Sequence, residues 1–367
     1  VRRDHPYAAP IIAPLDTLLE RSIAAPGLLA AIIAGKYVDH LPLYRQEQIF
    51  WTRHRVQLPR QTMAQWMGMA ADWLRPIYET IRTGVPGGGY VQIDETTIRY
   101  LEPGHGKTKQ GYLWTCARPG VDTVFHWGLI RAAGNLHTII PKTWDGKVQC
   151  DACSAYPAFV REHNTHGGRI ILAACWAHAR RGFFDALESA PQHCGWVIGH
   201  IGALYAIEAR LRARKAGPRL RQAVRSAEST PILRRWRAGL EIIRPRYLPQ
   251  SAMGKAIRYT LEIWDQLLVF LDDGRIEIDN NLVENAIRPT ALGKKNWLFI
   301  GAAGVGDRGA ILYTILESCR RREIDPIACL RDVFTRLPSL TNRQLEELAP
   351  AAWQKARRQQ PPLSEAS

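Results

Sequence analysis

Tyr90-Val91-Gln92-Ile93-Asp94-Glu95-Thr96-Thr97-Ile98-Arg99-Tyr100-Leu101 marks the point where the character of the chain changes. It is rich in β-branched and aromatic residues, which predicts a strand. Downstream, 111–118 and 123–130 repeat that composition between turn residues. A short helix over 135–140 follows, then a strand over 147–151, a helix over 155–163 and a fifth strand over 169–175. Three successive strands, then strand–helix–strand, predict a mixed α/β fold with helices on the sheet. Upstream, Gly84-Val85-Pro86-Gly87-Gly88-Gly89 lacks the lysine of a phosphate loop and reads as a hinge. Before it, 17–82 is helical. One face of 61–82 carries Trp66, Met69, Trp73, Leu74, Ile77 and Ile81, with Thr62 as a cap and Pro76 as a kink. A helix-turn-helix and a plain helical bundle both fit this pattern. From Trp176 to Asp273 only helix is expected. Helices over 278–287, 309–322 and 325–337 follow, with an extended piece at 296–300.

The 367 residues are 46% apolar and 23% charged, an ordinary globular balance that excludes wholesale disorder. No apolar run reaches the roughly 18 residues of a membrane helix, so no membrane partner is expected. The net charge of +15 favours a polyanionic partner, nucleic acid first. Seven scattered cysteines without a secretion signal read as reduced thiols of a cytoplasmic protein. The chain opens on Val1, from which an absent natural N-terminal part is expected.

Three acids stand apart from the solvated surface. Asp94 lies inside the first strand, Asp151 ends Val148-Gln149-Cys150-Asp151, and Glu284 sits on a helix after Asp279-Asn280-Asn281. A carboxylate in an apolar strand is costly without a cation or partner. Together the three could hold two Mg²⁺ ions, which accept few carboxylates and leave room for phosphate oxygens. Spacing alone equally allows two strand-end turn formers and one surface acid. Cys150-x₂-Cys153 with Cys175-x₂-His178 comes close to zinc-ribbon spacing, but Cys150 flanks Asp151 in a strand, where neighbours face opposite ways.

Further phrases occur in a fixed order. They include Lys36-Tyr37-Val38-Asp39-His40-Leu41-Pro42-Leu43-Tyr44, Asp94-Glu95-Thr96 and Gly111-Tyr112-Leu113-Trp114. Then come Cys175-Trp176-Ala177-His178-Ala179-Arg180-Arg181-Gly182-Phe183-Phe184, Asp279-Asn280-Asn281 with Glu284 and Ile287-Arg288-Pro289, and Gly293-Lys294-Lys295-Asn296-Trp297. From about Leu28 to Trp353 the ordered set resembles transposases of the insertion-sequence-66 family. The resemblance implies a ribonuclease-H-like core whose Asp-Asp-Glu triad falls on Asp94, Asp151 and Glu284. It also implies Mg²⁺ or Mn²⁺ as cofactor, with DNA cleavage and strand transfer at an insertion sequence. The partners implied are double-stranded transposon ends and target DNA, a homo-oligomer on that DNA, and accessory proteins of the same element. The place of action implied is the nucleoid. Relatives also carry an upstream coiled coil and a Cys-rich zinc segment, which this chain is expected to lack. The second motif departs from the family: Asp151-Ala152-Cys153-Ser154-Ala155-Tyr156 keeps only the later tyrosine. That departure is the ground for the alternative of a decayed copy that binds DNA without cutting it.

The 133 residues between Asp151 and Glu284 are too many for one crossover helix, so a helical insertion is expected. The divisions expected are a linker over 1–16, a helical region over 17–83, the first part of the core over 84–190, a basic insertion over 191–273, the second part of the core over 274–338, and a C-terminal segment over 339–367. Residues 205–246 hold twelve Lys and Arg against three acids, which predicts phosphate contact, with Arg234 and Arg235 among the candidates. His178, Arg180, Arg181, Arg288, Lys294, Lys295 and Asn296 are further candidate DNA contacts. Trp297 is expected to pack, because Leu298-Phe299-Ile300 extends its apolar run.

Overall fold

The computed structural model describes residues 24–102, 104–151 and 155–359. The expected linker, the start of the first helical region, the altered motif at 152–154 and the end of the tail lie outside them.

Three helices come first: α1 (Pro26–Tyr37), α2 (Leu43–His54) and α3 (Arg60–Gly84). Pro26 opens α1 at a position where the missing N–H costs nothing. Leu29, Ile32 and Ile33 are buried there, and Met63, Leu74, Ile77 and Ile81 of α3 are buried with them in one core. Thr62 does not cap α3. The helix starts two residues earlier, behind Pro59, and continues through Pro76 to Gly84. The glycine cluster is a packed turn, not a hinge. Val85 and Pro86 are buried in a 3₁₀ turn, and the Trp144 indole donates to the Pro86 carbonyl at 2.8 Å. Gly89 closes the turn at φ +69°, a conformation that favours glycine.

The strands are β1 (Tyr90–Leu101), β2 (Thr108–Ala117), β3 (Thr123–Gly128), β4 (Asp145–Cys150), β5 (Arg169–Ala174) and the short β6 (Phe299–Ile300). They form one mixed sheet, ordered β3-β2-β1-β4-β5, with β6 also on β1. β1, β2 and β3 are antiparallel in turn, while β4 and β5 run parallel to β1. β1 shows why its sequence looks mixed. Tyr90–Ile93, where β1 runs beside β4, are all buried; from Thr97 on the burial alternates from residue to residue.

α4 (Ala155–Thr165) joins β4 to β5, and α5 (Trp176–Asp185) follows β5. The insertion is entirely helical, as expected: α6 (Pro191–Ala213), α7 (Pro218–Val224), α8 (Thr230–Ile243), α9 (Ala252–Glu262) and α10 (Trp264–Asp272). These helices bury a second core around Trp176, Phe183, Trp236 and Trp264, with ring centroids 5.2 Å apart for Trp176–Trp236 and 5.4 Å for Trp236–Trp264. Tyr90, Ala173 and Ala174 of the sheet belong to that core, so the insertion rests on the sheet.

α11 (Asn281–Trp297) returns to β1, followed by α12 (Val305–Arg321), α13 (Pro326–Arg336) and α14 (Pro350–Gln359). α11 starts three residues later than expected, because 273–280 is held by side-chain contacts described below. It ends where Leu298 takes φ +63°, so only Phe299 and Ile300 are extended. The described cysteines form no disulfide. No described helix is long and apolar enough to cross a membrane.

The basic excess of the insertion is partly internal, which corrects the expectation of a uniformly phosphate-facing segment. Arg225 is fully buried in a π-helical turn (Arg225–Ser229) and grips Glu208, also fully buried, by two bonds of 2.7 and 2.8 Å. Arg221 bonds Glu277 at 2.8 Å and Glu208 at 3.0 Å, and Arg210 pairs with Glu228. Charge counted along the chain cannot reveal these pairings in space.

Candidate active site

β1 and β4 set the position of the first two acids. Gln92 is in register with Gln149 across the parallel pair. Two residues on, Asp151 follows the carboxyl end of β4, and its charge reaches Asp94 in β1. Open α/β sheets bind ligands at this edge. Glu284 arrives in the first turn of α11. Burial raises the Asp94 carboxyl to a pKa of about 7, and the negative charges of Glu95, Asp151 and Glu284 add to the rise. The Glu95 N–H, donating to Asp94 Oδ1 at 2.9 Å, offsets a part of it. A buried carboxyl with other carboxylates around it has the donor chemistry for a hard divalent cation.

A buried polar clamp delivers Glu284, and sequence reading missed it. Gln92 Nε2 donates to Gln149 Oε1 and to the Asp279 carbonyl, both at 2.9 Å, and Gln92 Oε1 accepts from the Val283 N–H at 3.3 Å. Gln149 Nε2 donates to the Glu277 carbonyl at 2.9 Å. The Tyr90 hydroxyl donates to Gln149 Oε1 at 2.6 Å and accepts from the Glu277 N–H at 3.1 Å. Every one of these contacts lies on the return segment or between its holders. The available signal was a glutamine two residues before each aspartate, on the same face of its strand. The other end of the segment is tied as well: Lys147 of β4 bonds Asp273 at 2.9 Å, and Arg225 donates to the carbonyls of Phe270 at 2.6 Å and Ile276 at 2.9 Å.

Gln149→Leu strips partners from the Glu277 carbonyl and the Tyr90 hydroxyl inside the protein. Each buried polar group left unpaired costs roughly 1–3 kcal/mol, so the expected loss is about 2–4 kcal/mol in urea unfolding. The double variant with Gln92→Leu should fall short of the sum of the two singles, because both remove the same bond.

Glu95 was also missed as a site residue. Its side chain is only 5% exposed and is held by Arg131, whose Nε donates at 2.8 Å, and by the Tyr156 hydroxyl. The tyrosine kept in the altered motif therefore anchors the neighbour of Asp94.

The expected DNA contacts divide into two groups. His178 Nδ1 stands 3.7 Å from Glu284 Oε1, inside the site. Lys294 reaches back to β1, donating to Thr96 Oγ1 at 2.9 Å and to the Thr97 carbonyl at 3.0 Å, and burial lowers its pKa. Arg180 lies over the Phe184 ring, and Arg181 is exposed beside it on α5. Lys295 is exposed, and Asn296 donates to the His40 carbonyl at 3.1 Å. Arg288 lines a cavity of about 610 Å³ with Tyr37, His40 and Arg320, and Glu284 is not among its walls. Arg234 and Arg235 are exposed on α8. Trp297 packs against the main core, as expected.

The fold is thus a mixed sheet carrying a cluster of acids, with a helical insertion between Asp151 and Glu284. The sequence profile of the transposase IS66 family matches residues 21–308, which include all three acids. The chain belongs to the IS66 family of transposases. Three relatives come from Sinorhizobium fredii (strain NBRC 101917 / NGR234). The uncharacterized protein y4jD is 34% identical over 91% of this chain and 67% of its own length. The uncharacterized protein y4qI is 36% identical over 87% of this chain and 61% of its own length. The uncharacterized protein y4hP is 30% identical over 92% of this chain and 63% of its own length. The chain thus spans about two-thirds of the length of these curated relatives.

Proposed function

We propose that this chain is the catalytic part of a DNA transposase that cuts the ends of an insertion sequence and joins them to target DNA. The observation that carries the reading is that the charges of Asp151 and Glu284 reach Asp94, whose carboxyl is raised first by burial and then by its acidic neighbours. The strand order, three antiparallel strands followed by two parallel ones, supports a ribonuclease-H-like core over 84–190 and 274–338, with 191–273 as its insertion. Asp94 holds the site from within β1, Asp151 from just beyond the end of β4, and Glu284 closes it from α11. Mg²⁺ or Mn²⁺, two ions in this reading, would supply charge neutralisation at the phosphate oxygens. The residues position the DNA for in-line displacement, first by water and then by the freed 3′-hydroxyl. Arg181, Lys295, Arg234 and Arg235 offer exposed cations for the backbones of transposon end and target. Work on nucleoid DNA as a homo-oligomer, with accessory proteins of the element, completes the proposal.

The test is nicking of supercoiled plasmid in Mn²⁺. The chain should convert supercoiled to open-circular DNA, and excess chelator should stop it. Retained DNA binding with no nicking in Mn²⁺ or Mg²⁺ would replace the reading with that of a DNA-binding relic. Nicking that chelator leaves untouched would remove the metal from it.

A further inference from the structure

We propose that Cys175, His178 and Glu284 form a second kind of metal site, one for a thiophilic divalent ion such as Zn²⁺. One ligand atom from each residue lies within 4.8 Å of the other two. His178 Nδ1 and Glu284 Oε1, 3.7 Å apart, are too far for a hydrogen bond, and both atoms are buried without a hydrogen-bond partner among the described residues. Tetrahedral zinc bond lengths of ~2.0–2.3 Å place two ligand atoms about 3.3–3.6 Å apart, close to this spacing. Cys175 sits where β5 ends and α5 begins, and the backbone N–H groups of Asn280, His178 and Ala177 donate to its sulfur. Burial is the larger influence and pushes the thiol up to about 12; these donors offset a part of that rise, and a bound ion displaces the proton. Asn280 itself is fully buried, with neither side-chain amide atom partnered.

Asp94 and Asp151 offer oxygen alone, which suits Mg²⁺ or Mn²⁺, whereas sulfur, imidazole and one carboxylate suit zinc. On binding, the Cys175 thiol gives its proton to solvent, and the fourth tetrahedral position stays open to water. The site stands independently of the transposase reading. Its consequence rests on that reading: Glu284 would be drawn away from Asp94 and Asp151, so thiophilic ions would act as inhibitors.

Co²⁺ is the probe, because a cobalt–thiolate bond gives a charge-transfer band in the near ultraviolet. The chain with one equivalent of Co²⁺ should show that band, and Zn²⁺ should displace it. Cys175→Ser should abolish it. His178→Ala and Glu284→Gln should each weaken binding by more than about a hundredfold, beyond the 10–100-fold typical of partners outside the ligand set. These two variants carry the test if Cys175→Ser fails to fold. Asp94→Ala should keep the band, which separates this site from the proposed cleavage site whatever the nicking result. Absence of the band in the unaltered chain, its survival in Cys175→Ser, or unchanged affinity in both His178→Ala and Glu284→Gln would overturn the proposal.

Discussion

Asp94→Ala and Glu284→Ala will each nick plasmid in Mn²⁺ at least about a thousandfold more slowly than the unaltered chain, a loss of ~4 kcal/mol of transition-state stabilisation. The magnitude follows from position. Asp94 comes from a strand and Glu284 from a helix 190 residues later. Glu95 is adjacent to Asp94 in sequence but is engaged by Arg131 and Tyr156. Equal nicking by both variants and the parent would overturn the triad assignment. A second readout needs no DNA. With its folded pKa raised to about 7, Asp94 binds a proton in the folded state at pH values where the unfolded chain has lost it. In chelator, the chain should therefore lose stability as pH rises from the ordinary carboxylate range towards 7. Asp94→Asn should flatten that slope and also remove the stabilisation that Mn²⁺ gives. Thermal melts across pH, with and without metal, read both effects.

Glu208→Ala should destabilise the fold by about 3–5 kcal/mol, because it leaves the Arg225 guanidinium buried without its carboxylate. Three carbonyls would still accept from Arg225, those of Phe270, Asp273 and Ile276, but none carries a balancing charge. Burial pushes the Glu208 carboxyl up, yet the hydrogen bonds and charges of Arg225 and Arg221 outweigh it and hold the pKa below the ordinary range. The contribution is thus present at neutral pH and lost as pH falls through the ordinary carboxylate range towards the depressed folded value. Urea unfolding of Glu208→Ala, and of Glu208→Leu combined with Arg225→Met, checks the argument. The double variant should recover only a part of the loss: it removes the uncompensated charge, but the carbonyls of Phe270, Asp273 and Ile276 lose their donor.

The first strand was legible to the residue, because 90–101 combines strand-forming residues with a clean glycine boundary. The insertion was legible from the distance between two acids. What lay out of reach was whatever depends on two segments meeting. Arg221 and Arg225 look like DNA contacts in a basic run, and only the approach of Glu208 and Glu277 makes them internal. Gln92 and Gln149 look like interruptions in apolar strands until the register pairs them under the return segment. The glycine cluster looked loose because nothing in its own sequence announces Trp144. The zinc-ribbon spacing of Cys175 and His178 fails on the strand geometry at Cys150, while Glu284, their neighbour in space, is 106 residues beyond the histidine.

The double grip on 273–283 also sets a chronology. During synthesis Asp94 and Asp151 emerge long before Glu284, and the segment carrying Glu284 has no seat until the glutamines hold one end and Arg225 the other. Arg225, in turn, is seated only when the insertion has folded around Glu208. A nascent or prematurely ended chain therefore carries Asp94 and Asp151 without the segment that brings Glu284 to them.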